Sequence, residues 1–277
     1  RFGVPPQLRA RIWPVMTGVA RLKAEADRAC GERTVYQRLV ERYDAVSDDD
    51  EMKVQIRKDL PRTFPRQATV INTKSGTASL ERVVGACAVY NRRTGYCQSM
   101  NIVGGHLLLA LGCGSRITLE TEELAFWLLR HLSENIVPFY WQEPVDNRAA
   151  DMAGMIHHST TLQVMCERLI PATIAHLQEL PMTLVGVKWL APLFGHTLPS
   201  STLYSLWDRV LCRQGGADVL LCAALTILPA RRRRAACSPP SSRPASPTSV
   251  LTSTAAAATP CSSTAPSPSG TRSPTSS

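Results

Sequence analysis

Two short stretches hold side chains suited to act on something outside the chain. The first is IRKDLPRTFP, Ile56 to Pro65, and the second is GYCQSMN, Gly95 to Asn101. In the first, Pro61 lacks an N–H and clashes with the carbonyl four residues back, so a helix is expected to end near Asp59. Pro61 also pushes Leu60 out of helical geometry. Arg62 is then expected in a short extended segment fenced by Pro61 and Pro65. There it is either an ordinary loop arginine, paired to Asp59 or not, or a stiffened arginine aimed outward with Asp59 holding it. In the second stretch, Tyr96, Gln98 and Asn101 crowd the start of the apolar run Ile102 to Leu111. One capping residue would serve the unpaired N–H groups of a helix start, and three polar residues exceed that need. A guanidinium is always charged and an amide does not titrate. Such groups bind, orient and stabilise charge; they do not shuttle protons.

Other chemistries leave no trace. The chain has no G-x-x-x-x-G-K-[ST], no H-E-x-x-H and no G-x-S-x-G. His157-His158 is an isolated pair and reads as surface or internally satisfied histidine, and no metal is expected. Cys97 has no neighbouring histidine or lysine to activate it and reads as a buried structural thiol. Nine cysteines are scattered without a C-x-x-C pair, which fits free buried thiols in a reducing compartment.

The elements that must carry these residues read as helix after helix through residues 1–228. Leu8, Ile12, Val15, Met16 and Val19 recur at helical spacing, as do Leu80, Val83, Val84 and Cys87. Met100, Val103, Leu107 and Leu111 mark a third face, and Leu124, Trp127, Leu128 and Leu132 a fourth. Leu203, Leu206, Trp207, Val210 and Leu211 mark a fifth. Arg9 and Trp13 read as structural, and Trp207-Asp208 as a core aromatic beside a helix-surface carboxylate. No segment alternates with period two, so the expected fold is a single all-α, multi-helix domain.

Residues 229–277 are Ser, Pro, Thr, Ala and Arg with little to bury, and are expected to form a disordered tail. The chain holds 31 Lys and Arg against 22 Asp and Glu, but six arginines follow Asp218 with no further acid. Residues 1–228 therefore keep 25 basic against 22 acidic side chains, and the basic balance belongs to the tail. A nucleic-acid partner would rest on that tail alone, and none is expected. The longest apolar runs, near Ile102–Cys113 and Val219–Leu228, fall short of the ~20 residues of a membrane span. The first residue is Arg1, so the expectation is a fragment or processed piece.

Four blocks give this chain a resemblance. They are GVPPQLRARIW with Arg9 and Trp13, Ile56-x-x-Asp59-x-x-Arg62, Tyr96-x-Gln98, and the run from EELAFWLL through LPSSTLYSLWDRVL to Leu228. In order and spacing the chain resembles the TBC (Tre-2/Bub2/Cdc16) domain of Rab GTPase-activating proteins. The resemblance implies that Arg62 and Gln98 are catalytic, acting in trans on a GTP-bound Rab-family GTPase. Asp59, Thr63, Tyr96, Met100 and Asn101 would bind that partner. It implies no cofactor of the chain's own, since GTP and magnesium belong to the partner. It also implies a role in vesicle trafficking and a cytoplasmic protein, peripheral at endomembranes. Ser99 departs from the glycine usual in the family. The domain's final helix is expected to be missing, leaving the apolar face of Val219–Leu228 uncovered. The rival reading is a helical Rab-binding scaffold without turnover, and such modules commonly lack the arginine or the glutamine that are both present here.

Overall fold

In the computed structural model, residues 3–64, 70–92, 94–114, 117–141, 152–175, 181–212 and 216–236 are described, with the backbone alone for 230–236. Among them every regular element is helical. The helices are α1 (Arg9–Met16), α2 (Val19–Cys30), α3 (Val35–Asp44), α4 (Glu51–Asp59), α5 (Lys74–Tyr90) and α6 (Met100–Leu111). They continue with α7 (Leu119–His131), α8 (Ala153–Leu169), α9 (Pro171–Ile174), α10 (Met182–Val185), α11 (Ser200–Val210) and α12 (Gly216–Ala236). The expected all-α architecture is therefore observed.

Local chemistry sets several boundaries. The Thr34 hydroxyl accepts from the Gln37 N–H while the Gln37 side chain accepts from the Thr34 N–H, a reciprocal cap that starts α3. Asp50, Thr73 and Thr118 cap α4, α5 and α7 in the simpler way, each accepting one or two first-turn N–H groups.

The helices α5, α6 and α7 pack on one another, and α3 and α4 lie against α5. Leu80, Val83, Val84, Val103, Leu107, Leu108, Phe126, Leu128 and Leu129 are fully shielded at their contacts. The second to fifth helical faces read from the spacing are thus core, with Leu124 and Leu206 only half-buried. The first is not. Val15 is 70% exposed, and α1 instead buries Arg9, Trp13 and Pro14. The reason is a partner far along the chain. Asp208 on α11 accepts from the Trp13 indole at 2.7 Å, from both Nε and Nη2 of Arg9, and from the Val4 N–H. Asp208 is therefore a buried acceptor, not the helix-surface carboxylate expected.

Three other expectations need correction. The segment at Pro61 is not extended: Leu60–Arg62 form a 3-10 turn, with Leu60 at φ −54° and ψ −50° and the Thr63 N–H donating to the Leu60 carbonyl. Proline fits the first positions of a turn, where its missing N–H has no partner to lose. The turn in exchange buries Leu60, Thr63 and Phe64. Pro65 lies outside the described residues. Of the described cysteines only Cys87 and Cys166 are buried; Cys97 is half-exposed, and Cys113, Cys212 and Cys222 are exposed free thiols. Finally, α12 does not stop at Leu228 but continues through Pro229 to Ala236, into the stretch expected as tail. Its Ala217, Leu220, Leu221, Ala224 and Leu228 are buried. Val219, Ala223 and Ile227 line a groove of about 1010 Å³ shared with Val4, Met16 and Leu206. Residues 237–277 lie outside the described residues.

The centre of α6 holds an unusual polar group, His106. It is 1% exposed, and Phe64, Tyr204 and Trp207 meet it at ring distances of 4.8, 5.8 and 6.0 Å. Its Nε2 lies 3.0 Å from the Gly195 carbonyl, which can only accept, so Nε2 carries the proton and Nδ1 accepts from the Tyr204 hydroxyl at 3.2 Å. Burial lowers its pKa to about 4, so the folded chain keeps it neutral. In the unfolded chain it protonates below about 6.5. Stability from this group is thus complete above 6.5 and is lost as pH falls toward 4. Urea denaturation should show a His106 contribution about 2 kcal/mol smaller at pH 5 than at pH 7.5. The difference in unfolding free energy between wild type and His106→Gln should shrink accordingly; a pH-independent difference would contradict the assignment.

Candidate functional site

The IRKDLPRTFP and GYCQSMN stretches meet at one side chain. Asp59, the last residue of α4, is 1% exposed. Its Oδ1 accepts from Arg62 Nε at 3.0 Å and from Arg62 Nη2. Its Oδ2 accepts from the Tyr96 hydroxyl at 2.9 Å and from Gln55 Nε2 at 3.2 Å. Both oxygens are therefore occupied, as a buried carboxylate requires. Tyr96 is 2% exposed, and burial followed by the Asp59 charge raises its pKa, keeping the hydroxyl a donor.

A second set of bonds runs behind the first. The Thr63 hydroxyl donates to the Asp59 carbonyl at 3.0 Å, and Asn101 Nδ2 donates to the Thr63 oxygen at 2.9 Å. Asn101 Oδ1 accepts from the Ser99 N–H at 3.1 Å. Met100 is buried with its sulfur 3.4 Å from the Cys97 N–H. A last contact seats the arginine turn. Phe64 lies on α6 at Gly105, where an added Cβ would fall 2.6 Å from the ring, so only glycine permits this approach.

The arrangement divides the expected site residues. Arg62 and Gln98 are exposed; the Arg62 side chain is 59% accessible although its partner is fully buried. Asp59, Thr63, Tyr96, Met100 and Asn101, expected to touch a partner, are all buried. The polar atoms of Asp59, Thr63, Tyr96 and Asn101 point inward and join the two turns, while the Met100 sulfur meets the Cys97 N–H within its own stretch. In the free chain these five are packed inside, while Arg62 and Gln98 are exposed. This packing accounts for the crowding of polar residues at the start of α6. Tyr96 and Asn101 belong to Asp59 and Thr63, and the α6 boundary residue, Ser99, makes no side-chain cap.

Two contributors were missed. Gln55 precedes Asp59 by one helical turn, so its amide shares the carboxylate's face; spacing alone offered that signal. Ser99 adopts φ 99° and ψ −26°, a left-handed conformation rare for a residue with a Cβ. The available signal was the glycine usual in the family at this position, since glycine takes positive φ without strain. Among the described residues, no group of three or more His, Cys, Asp or Glu could hold a metal ion. His158 is satisfied by the Tyr140 hydroxyl at 2.7 Å.

Fold and site together define a helical domain that presents one arginine and one glutamine from turns tied to a common carboxylate. The sequence model of the Rab-GTPase-TBC domain matches residues 6–235. Growth hormone-regulated TBC protein 1 of Homo sapiens is 31% identical over 234 residues, spanning 82% of this chain and 61% of that protein. Carabin of Mus musculus is 28% identical over 233 residues, 82% of this chain and 46% of its own length. The chain thus spans about three-fifths or less of these curated relatives. Among solved structures, the Chlamydomonas flagellar RabGAP TBC domain superposes with a TM-score of 0.66 at 28% identity, over 84% of this chain and 69% of that one. The Ypt/Rab-GAP domain of Gyp1p shares the fold, with a TM-score of 0.68 at 19% identity over 83% and 78%. The chain belongs to the Rab-GTPase-TBC domain family.

The buried carboxylate makes a stability contrast. Tyr96→Phe removes one hydroxyl and leaves Asp59 Oδ2 short of a charge-assisted donor. Urea denaturation should show a loss of about 1–3 kcal/mol. Gln98→Ala, at an exposed position, should stay within about 0.5 kcal/mol of wild type. Equal losses in the two variants would contradict the node described.

Proposed function

We propose that this chain accelerates GTP hydrolysis by a Rab-family small GTPase, with Arg62 and Gln98 entering the partner's active site. The observation that carries the reading is the division of the site. Of the seven residues the resemblance singles out in the two stretches, only Arg62 and Gln98 are exposed, and the other five are buried behind them. Family membership and the likeness to the Chlamydomonas flagellar RabGAP TBC domain support it.

The chemistry follows from the side chains. In phosphoryl transfer, charge develops on the transferring oxygens and an attacking water must lie in line. A guanidinium brought from outside stabilises that charge without any proton transfer. The Arg62 side chain is well placed for this. Asp59 engages its Nε and Nη2, which fixes the plane of the fork, while the group stays largely exposed. The Gln98 amide can accept from the water and donate to an oxygen at once, the task of orienting the nucleophile. The chain itself needs no cofactor for these roles; nucleotide and magnesium are the partner's. The second reading, a scaffold that binds a Rab without turnover, is favoured by no observation of the site, which keeps both exposed residues.

The test is single-turnover hydrolysis across a panel of GTP-loaded Rabs. For any Rab that responds, Arg62→Lys should reduce the rate at saturating chain by about 10²–10⁵-fold, because the ammonium lacks the planar fork. Half-saturation should change little. Gln98→Ala should also cut the saturated rate, and the double variant should fall far less than the product of the two. Intact turnover in Arg62→Lys with weakened association would make Arg62 a docking residue.

A further inference from the structure

Asn101 has more connections than a core asparagine needs. It is 3% exposed in the first turn of α6, and its one amide reaches both functional turns. On one side, Nδ2 donates to Thr63 Oγ1 at 2.9 Å and approaches the Asp59 carbonyl at 3.5 Å. Thr63 spends its own proton on that same carbonyl, so its oxygen is free to accept only, and only a donor at position 101 can complete the chain. On the other side, Oδ1 accepts the N–H of Ser99. Ser99 is the residue that joins exposed Gln98 to α6, and it does so at φ 99°. A non-glycine residue stays in that region only where its surroundings over-determine it. The Asn101 acceptor and the burial of Ser99 are the surroundings present here.

We propose that Asn101 is a positioning residue that fixes the Gln98 turn relative to the Arg62 turn. The Asp59 contacts orient Arg62 itself; Asn101 instead sets the register between the two exposed groups. Position 101 needs an amide because one arm must donate and the other accept. Aspartate keeps the acceptor for Ser99 and loses the donor for Thr63, whereas alanine loses both. Thr63→Val cuts the Thr63 arm alone. The inference rests on the reading of Arg62 and Gln98 given above, so its test has one arm without any GTPase.

That arm is amide hydrogen exchange on the full chain. In Asn101→Ala, exchange in the segment 95–101 should rise about tenfold or more, with α5 unchanged as the control for global opening. Thr63→Val should raise exchange in the same segment although Thr63 lies in the other turn. Unchanged exchange at 95–101 in both variants overturns the clasp, whether or not a responsive Rab exists. The second arm uses the Rab that responds to wild type, assayed below the melting transition of every variant. Asn101→Ala should lower the saturated rate about 10- to 100-fold with half-saturation nearly unchanged, since small misplacement of catalytic groups has costs of that order. In a Gln98→Ala background the same substitution should cost less than about threefold, because the group it positions is gone. An equal loss in both backgrounds makes Asn101 merely structural and overturns the proposal. Failure of every Rab to respond would count against the GTPase-activating reading, and the exchange arm would still decide the clasp.

Discussion

The two turns of the candidate site depend on one carboxylate taken out of water. A buried charge is tolerable only when its lone pairs are occupied by good donors. Asp59 meets that condition with Arg62 and Gln55 from its own helix end and Tyr96 from a separate stretch. The need to satisfy it draws the α4 terminus and the loop before α6 together. Arg62 keeps most of its side chain in solvent while anchored to a fully buried carboxylate. The same contact that solves a burial problem thereby aims a cation outward.

The molecule repeats this device away from the site. Asp208 collects Arg9, the Trp13 indole and the Val4 N–H, and Glu122 collects the Arg82 guanidinium and the Tyr36 hydroxyl. In each case a carboxylate buried on one element accepts from cations and ring donors of others. Apolar packing brings these helices together, but it is tolerant of sliding. Directional acceptors are not, and these two pin the relative placement of α1 and α11 and of α3, α5 and α7.

Much of the fold was legible because helical spacing reports burial wherever apolar residues form the buried face. It did so for α5, α6, α7 and α11. It failed at α1, where the buried face is Arg9, Trp13 and Pro14, since an apolar count cannot see an arginine destined for a buried carboxylate. The end of α12 was misread for a related reason: Pro229 and the arginines after it look like a stop, yet the helix runs on. At the site, the identities of Arg62, Gln98 and Asp59 stood out by type and spacing. The inward turn of Thr63, Tyr96, Met100 and Asn101 did not, because a polar residue beside a loop looks alike whether its partner is protein or solvent. The left-handed Ser99 was visible only through the glycine usual at its position in the family, and the 3-10 turn that replaced the expected extended segment at Pro61 was hidden.

The link between Arg9 and Asp208 has a consequence for how the chain is made. The two residues stand 199 positions apart. At ribosomal rates of roughly 5–20 residues per second, α1 waits on the order of ten to forty seconds before its counter-charge has been synthesised. Through that interval the Arg9 guanidinium stays hydrated and the Trp13 indole has no acceptor in α11. The neighbouring helices α5, α6 and α7 follow one another in sequence and can associate as soon as they emerge. Helix α1 is thus made well before it can be seated. Its docking through Arg9 and Trp13 can be completed only after Asp208 has been made.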